Sequence, residues 1–407
     1  MRPGLAADPR AFREREERDA LRIAVYCPHY EDAGGVREVV RRLTAGMAIR
    51  GHEVDVIARL PGGNGGPLPA RDPSTGVPIL RMRVVRAPYR GAGARAFRHF
   101  LHRFPAGAFR LVRGVRALAP DLIAAHCSKF HAPYVATLRA ALGVPVAAHL
   151  HNGPQTADGP ESLVLSRLLL RSARRVIAVS PAVADYARRV LPAHAGRVTT
   201  VPNGIDPAEF ERVAPATRAR PYVLGAGALA ERKGFDVLID AFAAAGTDLD
   251  LVLAGDGPEG AALAARAAAR GVAARVHFLG HVDRVTVASL LRGAAIVAIP
   301  SRFEGHPLIC LEAMLAGAPV VASDIPGLPA DLRHGQTGLR VPGEDPAALA
   351  RALRELAEVP ERARALGRAA REAARRLPSW DEVTTRVLDE YEAALADGRI
   401  RAIGRRR

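Results

Sequence analysis

Hydrophobic positions fall along this chain in short blocks whose period switches back and forth. "LRIAVYCPHY" is a nearly unbroken apolar run, as expected of a strand buried on both faces. It breaks into "EDAGGVREVVRRLTAGMAIRGHE", a Gly-Gly turn followed by apolar residues at helical spacing and a terminating glycine, after which "VDVIA" predicts the next strand. Strand, glycine turn, helix and strand in that order open a doubly wound parallel sheet. "DLIAAH", "PVAAHLH" and "RRVIAVS" predict three more strands between helical segments, and "VTTVPNGID" an edge strand ending in a turn. A second series starts at "PYVLGAGAL" and alternates cleanly through "FDVLIDAFAAA", "LDLVLAGDG", "AALAARAAARG", "RVHFLGHV", "VASLLRGA", "AIVAIPS", "APVVAS" and "GLRV". The prediction is two α/β halves, each a Rossmann-like doubly wound sheet, facing each other across a cleft at the carboxyl ends of their strands.

Two stretches break the rhythm. "LPGGNGGPLPARDPSTGVP", residues 60 to 78, is all punctuation and predicts a long exposed loop. From 95 to 118, Phe97, Phe100, Leu101, Phe104, Leu111, Val112 and Val115 recur at helical spacing, while Arg95, Arg98, Arg103, Arg110, Arg113 and Arg116 fill the remaining positions. Such a helix either packs one face and solvates the other or lies on an anionic membrane. The expected organisation is a loose tail (1–20), a first domain (21–202), a second domain (203–379), a helix returning to the first domain (380–396) and a basic tail (397–407).

Length agrees with two domains, since 407 residues exceed the roughly 250–300 at which one core stops growing. Cys27, Cys127 and Cys310 are widely separated with no C-x-x-C pair, which argues against a disulfide framework or zinc site and for a reducing compartment. No signal-like segment opens the chain, and runs such as "AAIVAIP" fall far short of the about 20 residues a membrane span needs. A cytoplasmic protein is expected, at most one resting on the inner face of the membrane. The net charge of +16 invites an anionic partner, but it is carried almost wholly by arginine: Lys129 and Lys233 are the two lysines. With no aromatic-interleaved basic platform and no zinc finger, nucleic acid is not expected as that partner.

The chemistry concentrates in "PSRFEGHPLICLEAMLAGAPVVAS" (300–323), where Glu304 and Glu312 stand eight positions apart around a Gly-rich turn. A helix starting near Pro307, with Gly305 beside it, presents free N–H groups and a positive dipole end suited to a diphosphate. Glu312, inside that helix and purely an acceptor when ionised, suits the two hydroxyls of a ribose. Glu304 at the turn is placed to meet whatever lies beyond the phosphates. Arg232 and Lys233 in "ALAERKGF" supply cations, and a lysine kept where this chain otherwise writes arginine suits a point-charge contact to diphosphate.

That segment, together with "VPNGID", "ERKGFDVLIDAF", "LAGDGP", "FLGHV" and "SWDEVTTRVLDEY", resembles glycosyltransferase family 4, the retaining enzymes of GT-B architecture, over about residues 22 to 395. The resemblance implies transfer of a sugar from a nucleoside-diphosphate donor to an acceptor the sequence does not reveal. It places Glu304 at the donor sugar, Glu312 on the nucleotide ribose and Lys233 on the diphosphate. Gly34 and Gly35 fall near phosphate and acceptor. The donor site is completed by Asn203, Arg232, Gly305, His306, Pro307 and Leu308. The family's first-domain histidine falls in "AAHLHNG", where His151 is favoured over His149 because it is nearer the strand end. No metal or other cofactor is implied. "DLD" at 248–250 matches a D-x-D metal pattern but directly precedes the apolar strand "LVLAG", so a structural role is expected.

The chain departs from the family pattern at Ala228, where an arginine is common, at Ala330 and Asp331, where "G-x-P-E" is usual, and at His306, where an aromatic is common. Arg232 is the candidate to replace the charge absent at Ala228. Three rival readings compete. "GAGALA" imitates a dinucleotide fingerprint and would make the protein an NAD-dependent oxidoreductase, but "ERKG" separates it from the following helix. A nucleotide-sugar epimerase shares the two-domain architecture. A non-catalytic sugar-nucleotide-binding relative would accommodate Ala228 and Ala330.

Overall fold

A computed structural model describes residues 20–32, 34–60, 69–85, 87, 93–152 and 160–404. The first half is a parallel sheet of β1 (Arg22–Tyr26), β2 (Glu53–Arg59), β3 (Ile79–Met82), β4 (Leu122–Ala125), β5 (Val146–Leu150), β6 (Arg175–Ala178) and β7 (Val198–Thr200), in the order β3-β2-β1-β4-β5-β6-β7. The second contains β8 (Tyr222–Ala226), β9 (Asp250–Ala254), β10 (Val276–Gly280), β11 (Ile296–Ile299), β12 (Val320–Ser323) and β13 (Leu339–Val341), ordered β10-β9-β8-β11-β12-β13. Every neighbouring pair is parallel. Parallel pairing requires helical crossovers that cover both faces of a sheet, which explains the all-apolar strands: β4 and β8 are buried at every residue.

In both sheets the strand order reverses beside the first strand, between β1 and β4 and between β8 and β11. Loops leaving those strands diverge and open a crevice. The Gly34–Gly35 turn follows β1, the 227–234 loop follows β8 and the 300–307 loop follows β11, so the candidate residues lie at these switch points.

The chain crosses between the halves twice, side by side. At the first crossing Ile205 N donates to Pro378 O at 3.1 Å, and a side chain at Gly204 would meet Trp380 N at 2.8 Å, which forces a glycine there. The second crossing leads into the Trp380–Gly404 helix, which returns to the first sheet and places Val383, Val387, Leu388, Tyr391 and Ala394 in one core with Val39, Leu43 and Met47 of the Gly35–Ile49 helix. Its backbone runs on to Gly404, beyond the expected end near 396.

Of residues 60–78, the part 61–68 lies outside the described residues, as do 1–19 of the expected tail and 405–407. The remainder, 69–78, is turn and loop with most residues exposed, as expected, but it is pinned at a buried carboxylate. Asp72, 2% exposed, accepts from Tyr30 Oη at 2.9 Å, Ser74 Oγ at 2.6 Å and the N–H groups of Ser74 and Thr75 at 3.0 Å each, and the chain then enters β3. The missed strand has only four residues, Ile79–Met82, too few for a period to show against the surrounding Gly and Pro. The basic segment is a helix, Gly93–Ala117, that buries Leu111 and Val115 while Leu101 and Phe109 stand 55% and 69% exposed.

A buried hydrogen bond ties the returning helix to the first sheet, between His149 Nε2 on β5 and Tyr391 Oη at 2.8 Å. Tyr391→Phe should remove about 1 kcal/mol and lower the thermal midpoint by about 2–4 °C. An unchanged midpoint would show that this bond does not fasten the helix.

Candidate active site

Two helix N-termini from opposite halves meet in the cleft. Gly34, exposed and extended in a conformation open to glycine (φ 149°), leads into the Gly35–Ile49 helix, and a methyl at Gly35 would lie 3.9 Å from Leu308 Cδ1. Leu308 is the first residue of the Leu308–Ala316 helix, with the buried Pro307 as its N-cap and the first intrahelical bond running from Cys310 N to Pro307 O at 3.1 Å. The N–H groups of the first turn therefore precede the ladder and carry the positive end of the helix dipole into the cleft. Leu308 packs against the cores of both halves.

Glu304 stands at the mouth of that turn, 9% exposed. Its Oε1 accepts from Lys233 Nζ at 2.6 Å and Ser301 Oγ at 2.7 Å, and Arg232 Nη1 is 3.9 Å from Oε2. A carboxylate so deeply buried costs several kcal/mol unless paired, and Lys233 provides the pair. The 231–233 turn that delivers Arg232 and Lys233 is held by Arg302: its N–H donates to Arg232 O at 2.9 Å, and its guanidinium bonds Glu231 O, Glu344 and, at 2.8 Å, Asp236. Gly234 closes the turn at φ 64°, where a side chain would strike Pro300 O at 2.1 Å. Ala228 sits in the same loop, and Arg232 is the arginine that this loop brings to Glu304.

Glu312, 8% exposed, lies about one turn into the Leu308–Ala316 helix, and Arg284 Nη2 donates to its Oε1 at 2.9 Å. Burial pushes the Glu312 carboxyl up, and Arg284 opposes that rise. Burial likewise works against the charge on Arg284, but Glu312, Glu209 and Glu38 more than offset it and hold the guanidinium above its ordinary range. Arg284 Nε is 2.8 Å from Glu209 and 3.4 Å from Glu38, which in turn takes Arg41 and Arg42 at 2.7 Å each. Arg42 also pairs with Glu209 across the cleft.

On the first half, His126 Nδ1 and His151 Nε2 are 3.0 Å apart, and His126 stacks on His149 with ring centroids 3.8 Å apart. Burial, with the neighbouring imidazoles, holds His126 and His149 well below the usual histidine range, and burial alone brings His151 down to about 4. All three are neutral near pH 7. His149 is 2% exposed and engaged by Tyr391, whereas His151 is partly exposed and its carbonyl oxygen would lie 1.8 Å from a methyl on Gly305. The halves touch there backbone to backbone. Asn203, at the first crossing, donates from Nδ2 to His306 O at 2.8 Å and from its N–H to His306 Nδ1 at 3.3 Å, so it reaches the site by bracing the turn before Pro307. Burial brings His306 down to about 4 as well.

The structure thus gathers Gly34, Gly35, His151, Asn203, Arg232, Lys233, Gly305, His306, Pro307, Leu308, Glu304 and Glu312 around one cleft. Sequence reasoning missed Arg284, Glu38, Glu209 and His126. Arg284 carries a weak signal, an arginine directly after the helix-capping Asp283, whereas Glu38 looks like any polar helix position. Asp250 of "DLD" bonds His277 Nε2 at 3.0 Å at the head of β9, a structural use. Among the described residues no group of three or more His, Cys, Asp or Glu side chains is placed to hold a metal ion.

Two facing parallel-sheet domains with these loops at their switch points form a GT-B architecture. Residues 33–209 match the model of Glycosyltransferase Family 4, and residues 208–373 that of Glycosyl transferases group 1. A phosphatidyl-myo-inositol mannosyltransferase of Mycobacterium leprae is 32% identical over 93% of this chain and 98% of its own length. A D-inositol 3-phosphate glycosyltransferase of Streptomyces avermitilis is 29% identical over 94% and 90%. In fold, the chain is similar to sucrose-phosphate synthase from Thermosynechococcus elongatus (TM-score 0.77, 24% identity, 92% and 99% covered) and to Anabaena HepE in complex with UDP and glucose (TM-score 0.74, 20% identity, 92% and 100% covered). The chain belongs to glycosyltransferase family 4.

Gly305→Ala tests the backbone contact directly. The added methyl cannot coexist with the His151 carbonyl, so the halves must separate by about an ångström or more, and a displacement of that size is worth about 10²-fold in rate. Turnover should fall that far with an unchanged circular dichroism spectrum; full activity would mean that the contact is dispensable.

Proposed function

We propose that this protein is a retaining glycosyltransferase that moves a sugar from a nucleoside-diphosphate sugar to an acceptor hydroxyl, with no resident metal. The observation that carries the reading is the pair of nearly buried carboxylates at the start of one helix, Glu304 on Lys233 and Glu312 on Arg284, beside two convergent helix N-termini. A diphosphate fits the positive helix end with Lys233 and Arg232, since the Lys233 ammonium has three donors and Glu304 engages one. The ribose hydroxyls fall to Glu312, and the donor sugar to Glu304 and the neutral His151. The UDP and UDP-glucose complexes of HepE, a protein of the same fold, support a nucleotide-sugar donor.

In this reading the acceptor oxygen attacks the anomeric carbon on the face from which the diphosphate leaves. The glycosidic bond forms as the carbon–oxygen bond to phosphate breaks, and the acceptor's proton passes to the departing phosphate oxygen. Lys233, Arg232 and the helix end stabilise the charge that grows on the diphosphate, where a preorganised donor is worth about 10²–10³ in rate. The acceptor binds the first half. The Gly93–Ala117 helix, with Leu101 and Phe109 exposed among Arg98, Arg103, Arg110 and Arg113, favours peripheral contact with an anionic membrane and a lipid-linked or envelope acceptor. No helix among the described residues is long and apolar enough to cross a membrane.

A thermal-shift screen against UDP, GDP, ADP and their sugar conjugates tests the donor site, because saturation at 100 times Kd stabilises the folded state by about 2.7 kcal/mol. One nucleotide family should raise the midpoint, and Glu312→Ala should abolish that rise. No shift with any of them would sink the donor-site assignment. Once a donor is found, Glu304→Ala should lower turnover about 10²-fold or more, while chelation by EDTA leaves the wild-type rate unchanged.

A further inference from the structure

Glu312 has been read as the ribose acceptor, a task that needs an ionised carboxylate. Two vicinal hydroxyls both donate, and a carboxylate offers about four lone-pair sites, whereas a carboxylic acid turns one oxygen into a competing donor. The location works against ionisation. Glu312 is 8% exposed inside an apolar helix whose neighbouring Cys310, Leu311, Ala313 and Met314 are buried, and two further carboxylates, Glu209 and Glu38, press on the same spot. Asp206 borders the same cleft. Against four acidic groups stand three guanidiniums. Arg41 binds Glu38, and Arg42 divides itself among Glu38, Glu209 and, at 3.6 Å, Asp206. Arg284 is the cation that touches Glu312, at 2.9 Å, and it does so as a three-way bridge: Nη2 to Glu312, Nε to Glu209 and, across the cleft, to Glu38.

We propose that Arg284 is the positioning residue of the donor's ribose site: it holds Glu312 ionised and oriented for the diol, and the first half contributes to that task through Glu38. The inference rests on the reading of Glu312 as ribose acceptor. Geometry supports it beyond charge. Arg284 occupies one lone pair of Oε1 and leaves three sites on the carboxylate. It sits on the Arg284–Gly293 helix, whose first turn is fixed by Asp283 accepting from Thr286 N at 2.7 Å, so the guanidinium is anchored at its base as well as its tip. Glu38 belongs to the helix that begins at the Gly34–Gly35 turn. Arg284 therefore connects the phosphate end of one half to the ribose carboxylate of the other.

The test measures ribose preference, the ratio of dissociation constants for the 2′-deoxy and ribo forms of UDP, GDP and ADP, by titration calorimetry from pH 5.5 to 8.5. Titration of the phosphates cancels in that ratio. In the wild type the tighter-binding base should show a preference of about tenfold or more, declining only toward the acid end. In Arg284→Gln, Glu312 keeps its burial and its acidic neighbours but loses its cation. Protonation of Glu312 then sets in at higher pH: the preference should be lost at a pH where the wild type still keeps it, and return as the pH rises further. Arg284→Lys, which restores the charge without the planar fork, should move the midpoint part of the way back. Glu312→Gln, whose amide keeps one acceptor oxygen but cannot ionise, should show a reduced preference that does not change with pH. A preference in Arg284→Gln that matches the wild type, or one lowered equally at every pH, would overturn the role given to Arg284. A full preference with the wild-type pH dependence in Glu312→Gln would overturn the ribose assignment itself, a different failure. Should Arg284→Gln not fold, Arg284→Lys decides alone, because an unshifted midpoint there overturns the proposal.

Discussion

Two carboxylates lie nearly buried where the halves of this protein meet, and neither can remain charged there without a cation. Transferring an isolated carboxylate out of water costs several kcal/mol even after relaxation, more than the burial of any one neighbouring leucine returns. The architecture around the cleft answers that cost. Glu304 is met by Lys233 from the loop after β8, Glu312 by Arg284 from the first turn of the helix after β10, and each cation is secured by further contacts, through Arg302 in one case and Glu209 in the other. Cations that offset buried acids in a cleft are also cations available to a diphosphate. Under the proposed function, the interactions that stabilise the fold here would also serve the chemistry.

The second constraint is closeness of approach. Gly305 against the His151 carbonyl, Gly35 against Leu308 and Gly204 against Trp380 are places where backbone from one part of the chain comes within van der Waals distance of another. A cleft whose walls touch at these points can grip a narrow, extended ligand. The returning helix adds leverage, since Tyr391 engages His149, His149 stacks on His126, and His126 bonds His151. A chain of contacting rings thus runs from the returning helix to the rim of the cleft. Burial keeps those imidazoles uncharged near pH 7.

The chain belongs to a family whose members act on many acceptors, and the strong positive charge is not confined to the cleft. Much of the arginine serves ordinary work: Arg266 and Arg270 both clamp Asp240, and Arg275 and Arg354 hold backbone carbonyls. The Gly93–Ala117 helix differs, because its exposed arginines flank exposed Phe109 rather than buried partners.

Much was legible in the sequence because it depends on local spacing. Parallel strands buried on both faces must be written as apolar runs, crossover helices as 3.6-residue patterns, and the turns between them as glycines, so two doubly wound halves could be read directly. The eight-residue separation of Glu304 and Glu312, the lysine at 233 in an arginine-rich chain and the proline at 307 are likewise features of one segment. What the sequence could not show are meetings between segments. Strand β3 is too short to have a period. Asp72 looks like an exposed loop residue until Tyr30 donates to it and it is buried. Glu38 and Arg284 are 246 positions apart, and nothing local announces that they lie 3.4 Å from one another. Only the packing of the two halves decides which cation reaches Glu312, which histidine is sealed by Tyr391 and which stays at the cleft, because those choices rest on distances that the chain acquires after it has crossed between its halves twice.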